Sequence, residues 1–133
     1  MKLASLLFLG SLAFAQHYTG VASSKQLMAG MQKPAMDSLA AMMKAGGPQD
    51  EKEWGIAQQN AALLAESAQL LLMGTRPLDQ DVWVKTSHRL QEAAVGSMKA
   101  AESKDLTAWK ASLANMGGAC KGCHNVHRKK PQQ

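Results

Sequence analysis

A chain of 133 residues, 46% of them hydrophobic, has room for one domain around one core. Two cysteines are too few for a disulfide framework. The formal charge of +5 is a modest excess, part of it gathered in Arg128-Lys129-Lys130, and gives little support to nucleic-acid binding. That basic end reads as a solvated tail, with docking to an acidic partner protein as the sharper alternative.

The N-terminus has the layout of an export signal. Met1-Lys2 is a short positive region, Leu3 to Phe14 is apolar with only small interruptions, and Ala13-Phe14-Ala15 offers an A-x-A cleavage site. The run is shorter than the ~20 residues a bilayer span needs, and no cysteine follows the site to carry a lipid. Residues 1–15 are therefore expected to be removed, leaving residues 16–133 as one exported, periplasmic domain with no membrane segment of its own.

Four helices are expected in the remainder. The first runs from about Ala22 to Lys44 and stops at Ala45-Gly46-Gly47-Pro48. Pro34 inside it removes a ladder hydrogen bond and clashes with the carbonyl four residues back. A kink or change of helix is expected near residues 30–34, eased by Gly30. The second helix, about 50–73, begins at Asp50-Glu51-Lys52-Glu53, whose carboxylates suit a helix N-terminus, and carries Trp54, Ala57, Ala61, Leu64, Ala68 and Leu71 on one face. Gly74-Thr75-Arg76-Pro77 breaks it. Asp79 is placed to cap a third helix reaching about residue 102, with Trp83, Leu90, Ala94 and Ala101 as its apolar face.

The last helix starts at Ser103 or Asp105. Leu106, Trp109, Leu113, Met116, Cys120, Cys123 and His127 follow at spacings of three and four, one stripe of a helix. Four such helices joined by short breaks fit an antiparallel up-down-up-down bundle, whose interior can hold a cofactor between facing helices. The core positions are rich in Ala, and both phenylalanines, Phe8 and Phe14, belong to the leader. A bare bundle of this composition would be underpacked, leaving space for a large flat ligand.

The stripe contains Cys120-Lys121-Gly122-Cys123-His124, the C-x-x-C-H spacing of covalent c-type haem attachment: two thiols to bond the vinyl groups and an adjacent imidazole for the iron. On a helix, positions i, i+3 and i+4 share a face, so all three can reach one flat ligand. Three plainer readings compete. A redox dithiol expects a strand before the motif and a βαβ setting. A zinc site would need two further ligands from His17, His88 and His127. A Cys120–Cys123 disulfide would close too small a loop to stabilise much. His88 and His127 read as surface residues, and His17 as part of a frayed terminus. Gly117 and Gly118 suggest relief of crowding beside a porphyrin, or a helix break just before the motif.

Taken together, a leader, an alanine-rich four-helix domain and Cys-Lys-Gly-Cys-His on the last helix, with Met116-Gly117-Gly118 before it and Arg128 four residues after the histidine, resemble the class II c-type cytochromes, the cytochrome c prime family. Gln26-Leu27-Met28 is similar to the first-helix segment that supplies methionine to iron in the low-spin branch. The resemblance implies one covalent haem c, proximal His124, distal Met28 (Met31 being the alternative, three residues on), and Arg128 close to the cofactor. It implies an electron carrier rather than an enzyme, serving redox partner proteins, with homodimerisation through the first two helices common in the family. In the family's other branch the iron is five-coordinate and binds nitric oxide or carbon monoxide. An exported helical interaction domain without haem is the third class of reading.

Overall fold

A computed structural model describes residues 19–128; the expected leader, His17 and Lys129-Lys130 lie outside the described residues. These are all helical, with no strand among them. The first helix, α1, is made of three joined segments: α-helical Ser24–Leu27, a π turn over Met28–Gln32, and α-helical Lys33–Lys44. Then come α2 (Glu51–Leu70), α3 (Val82–Glu102) and α4 (Leu106–His127). No helix among the described residues is long and apolar enough to cross a membrane.

Local chemistry explains the helix ends. Ser23 and Gln26 form a capping box at the start of α1, satisfying two amides that a helix would otherwise leave bare. Asp50 caps α2 by accepting from Glu53 N at 2.8 Å, and Asp105 caps α4 by accepting from Ala108 N at 2.9 Å. Asp79 caps α3 as expected, accepting from Val82 N at 2.6 Å and Trp83 N at 3.1 Å. The helix it caps starts three residues later, after a turn.

The C-terminal ends of α1 and α3 close alike. Gly47 N donates to Met42 O and Gly46 N to Met43 O; Asp105 N donates to Ala100 O and Lys104 N to Ala101 O. Both are Schellman motifs, in which backbone amides beyond the helix reach back to its last carbonyls. The motif needs a left-handed residue, supplied by Gly46 (φ 95°) in the first case and by Lys104 (φ 55°) in the second. At Gly47 a Cβ would fall 2.2 Å from Leu106 Cδ1, so glycine there also permits the close approach of α4.

The disturbance expected around Pro34 is the π turn. Lys33 N donates to Met28 O, five residues back instead of four. Widening the turn before Pro34 is a way to relieve the clash its ring would cause in a regular helix. α2 ends at Leu70, three residues short of the expected limit.

Packing is uneven. α4 lies along α3 and α3 along α2, each closely, while α1 rests mainly on α2 and barely touches α4. The larger core cluster joins Ala35 and Leu39 of α1 to Leu64 and Ala68 of α2, Leu90 and Ala94 of α3, and Trp109, Leu113 and Met116 of α4. A smaller cluster at the other end holds Leu27, Leu71, Trp83 and Cys123. Leu106, expected to begin the buried stripe of α4, is 38% exposed because the helix starts there, at the edge of the core.

Trp109 is fully buried and meets Trp54 edge to face, centroids 6.2 Å apart. It is the largest fully buried side chain, in the larger cluster, whose other buried members are Leu, Met and Ala. Trp109→Ala should therefore lower unfolding stability by about 3–5 kcal/mol, measured by urea denaturation.

Candidate functional site

The uneven packing leaves a narrow cleft between α1 and α4, floored by α3, with about 20 Å³ of free space. Met28 and Gln32 line it from α1; Thr86, Ser87 and Leu90 from α3; Ala119, Cys120, Cys123 and His124 from α4; Leu71 closes it from the loop after α2. Three of the motif's residues and the methionine of the first helix thus share one small space. Met31 does not line it; that side chain packs beside the smaller core cluster.

α4 presents its three residues together because the helix runs unbroken through Gly117 and Gly118 to His127. The expected alternative of a break there is not observed. Neither glycine relieves crowding within the protein: both are exposed, and a Cβ on either would meet nothing within 4 Å.

The two thiols are not bonded to each other. Burial, with the neighbouring Cys123, pushes the Cys120 thiol above its ordinary range. Burial likewise pushes Cys123 up, outweighing a hydrogen bond from Thr86, with Asp79 adding to the rise. A redox dithiol works through a stabilised thiolate, commonly at a helix N-terminus. Here both thiols sit near the C-terminal end of a helix, where the backbone dipole also disfavours negative charge. Nor do any three His, Cys, Asp or Glu side chains gather into a possible metal cluster among the described residues.

The raised thiols have a measurable consequence. A group whose pKa is higher folded than unfolded contributes stability that is full below the unfolded value and is lost as pH rises through the folded one. The protein with both thiols free should lose stability as pH climbs above about 8.5, the ordinary thiol value. A side chain without a thiol cannot titrate there. Urea midpoints across pH 7–10 should fall for the protein with free thiols and lose this cysteine contribution in the Cys120→Ser, Cys123→Ser variant.

His127 departs from its expected place at the surface. Its side chain is only 15% exposed, and its ring packs edge-on against Trp83, centroids 5.5 Å apart. Nε2 lies 2.8 Å from Asp79 Oδ2, out of line for a hydrogen bond, so the pair attracts only when the imidazole is protonated. Burial opposes charge on Asp79, but the Trp83 and Val82 amides and His127 together hold its carboxyl below its ordinary value. The start of α3 is what draws His127 inward, because the turn before it brings Asp79 and its first turn brings Trp83 to the end of α4. His88 is exposed, as expected. Arg128 is exposed as well; its backbone N donates to His124 O and its side chain does not line the cleft.

Gln32 was not among the expected site residues. It is 8% exposed, and its Nε2 is buried without a hydrogen-bond partner. Its position was readable in principle: four residues after Met28 and three before the buried Ala35, it continues the inward stripe of α1.

The cleft fits a c-type haem in kind. It offers paired thiols, an imidazole and a thioether around a mostly apolar lining, and a buried amide donor that no protein group satisfies. Its enclosed space, about 20 Å³, holds roughly one water and is far below that of small-molecule sites. A porphyrin would require α1, which makes few direct contacts with α4, to stand further from it. No family model, curated protein or solved structure matches the chain.

Proposed function

We propose that the protein is a periplasmic monohaem c-type cytochrome of the cytochrome c prime kind, an electron carrier and not an enzyme. The observation that carries this reading is the convergence of Cys120, Cys123, His124 and Met28 on one cleft. Cys120 and Cys123 tether the haem as thioethers, His124 is the proximal ligand and Met28 the distal one. The four helices run up-down-up-down, and residues 1–15 direct export before attachment.

When bound, the haem supplies a one-electron couple, and the chain's residues set its conditions. A thioether is a soft ligand that favours ferrous iron and raises the potential. Leu71, Leu90 and Ala119 would give the haem apolar surroundings. His124 and both cysteines, fixed on one unbroken helix, keep the tether and the proximal ligand in register through each redox cycle. Encounters with redox partner proteins are brief and electrostatically guided, Lys121 and Arg128 standing exposed beside the motif.

The test is the full-length protein expressed with a haem-attachment system. Red protein whose pigment stays with the chain in a denaturing gel, with low-spin bands and a weak far-red sulfur-to-iron feature when oxidised, supports the reading. A folded, colourless protein with both thiols free overturns it.

A further inference from the structure

With about 20 Å³ free, the cleft admits little more than a water, so any larger occupant must first displace one of its walls. Two of those walls, α3 and α4, are fixed by their close packing along each other. The wall from α1 is the loose one. Its first turn, Ser24–Leu27, makes few contacts with the other helices, and the π turn over Met28–Gln32 rests mainly on α2.

This loose end covers a thiol. Cys123 is 8% exposed and shares the end cluster with Leu27 of α1, Leu71 and Trp83; Ala22, Met28 and Met31 pack against the same cluster. One side chain fastens the cover. Arg76, in the loop after α2, donates from Nε and Nη2 to Ala22 O at 3.1 and 2.9 Å, and from Nη1 to Leu70 O at 2.8 Å. Its guanidinium thus joins the residue just before the capping box of α1 to a terminal carbonyl of α2. No acidic side chain pairs with it among the described residues. The backbone at Gly20 lies so near that a Cβ there would fall 2.3 Å from Arg76 Nη2. Among the described residues, no other hydrogen bond ties this end of α1 to a neighbouring element.

We infer that the N-terminal end of α1 is a lid over Cys123, with Arg76 as its clasp and the π turn as its hinge. A π turn interrupts the regular ladder, and Gly30 within it is exposed with open space where a Cβ would stand, so the helix can bend there without a clash. Beyond the hinge α1 stays put: Asn60 Nδ2 of α2 donates to Ser38 Oγ at 3.1 Å, and Ala35 and Leu39 are locked in the main core. Lifting is therefore confined to the segment up to the turn. The clasp can release without unfolding the bundle, because Arg76 is only half-buried and water can take over its bonds. The lid governs access to the free Cys123 thiol, whatever the cleft goes on to hold.

The probe is N-ethylmaleimide on the full-length protein made without a haem-attachment system, in a Cys120→Ser background so that Cys123 alone reports. Adding Arg76→Ala should speed alkylation of Cys123 roughly 10- to 100-fold, the weight of a hydrogen bond to a charged group. Amide exchange should quicken over residues 24–32 and stay unchanged in α3 and the first half of α4. Gly20→Ala reaches the clasp from its other side, since the added methyl displaces the guanidinium, and should move both readouts in the same direction. It carries the test alone should Arg76→Ala fail to fold. Folded variants that alkylate at the parent rate overturn the lid. So does a faster rate accompanied by equally faster exchange throughout α3 and α4, which is general loosening and not the release of one segment.

Discussion

Met28→Ala is expected to convert the oxidised pigment from low-spin to high-spin, erase the weak far-red sulfur-to-iron band, and allow rapid carbon monoxide uptake on reduction. Removing the thioether takes away the soft ligand that favours ferrous iron, so the reduction potential should fall as well. Met31→Ala should leave the spectrum unchanged. Met31 packs beside the end cluster instead of lining the cleft, so its loss is felt in stability. Optical spectra of the two variants, recorded side by side, check the assignment; a high-spin shift in Met31→Ala with none in Met28→Ala would exchange the roles of the two methionines.

Cys120→Ser together with Cys123→Ser should abolish covalent pigment completely. Serine keeps nearly the shape of the side chain and removes the sulfur that forms the thioether. The intact mass of the double variant should equal that of the bare chain, and haem staining after denaturing electrophoresis should vanish. Each single variant should retain one tether and some stain. An unaltered stain in the double variant would place any attachment elsewhere in the chain.

Most of the fold was legible in the sequence because its signals are local. Asp79 caps the helix it was expected to cap, Asp50 and Asp105 cap helices expected to begin at or beside them, and Gly46-Gly47 ends the first helix by a motif that needs a positive φ. Each of these interactions spans fewer than six residues, so composition and spacing suffice to read it. The apolar face of the second helix was equally plain: Ala57, Ala61, Leu64, Ala68 and Leu71 are all buried. The candidate site was legible in its α4 part, since Cys120, Cys123 and His124 are neighbours in sequence and the unbroken helix makes them neighbours in space.

What escaped the sequence depends on contacts between distant segments. His127 looks like a surface residue on its own helix and is half-buried only because Asp79, from the turn before α3, and Trp83, from its first turn, arrive beside it. Gln32 looks like one more polar residue, and its burial follows from the floor that α3 and α4 provide. The choice between Met28 and Met31 was likewise closed to periodicity, because a regular helix puts residues three apart on nearly the same face. The π turn separates them: Met28 lines the cleft and Met31 does not.

That wider turn also makes the segment sensitive to length. A π turn amounts to one residue more than a regular α-helix would hold. Excising a single residue between Ala29 and Met31 would let the ladder close regularly, swinging everything upstream by about 100° around the helix axis. Met28 would leave the cleft side of the helix although its identity had not changed. Along this stretch the chain's arithmetic, rather than its chemistry, decides which side chain enters the cleft.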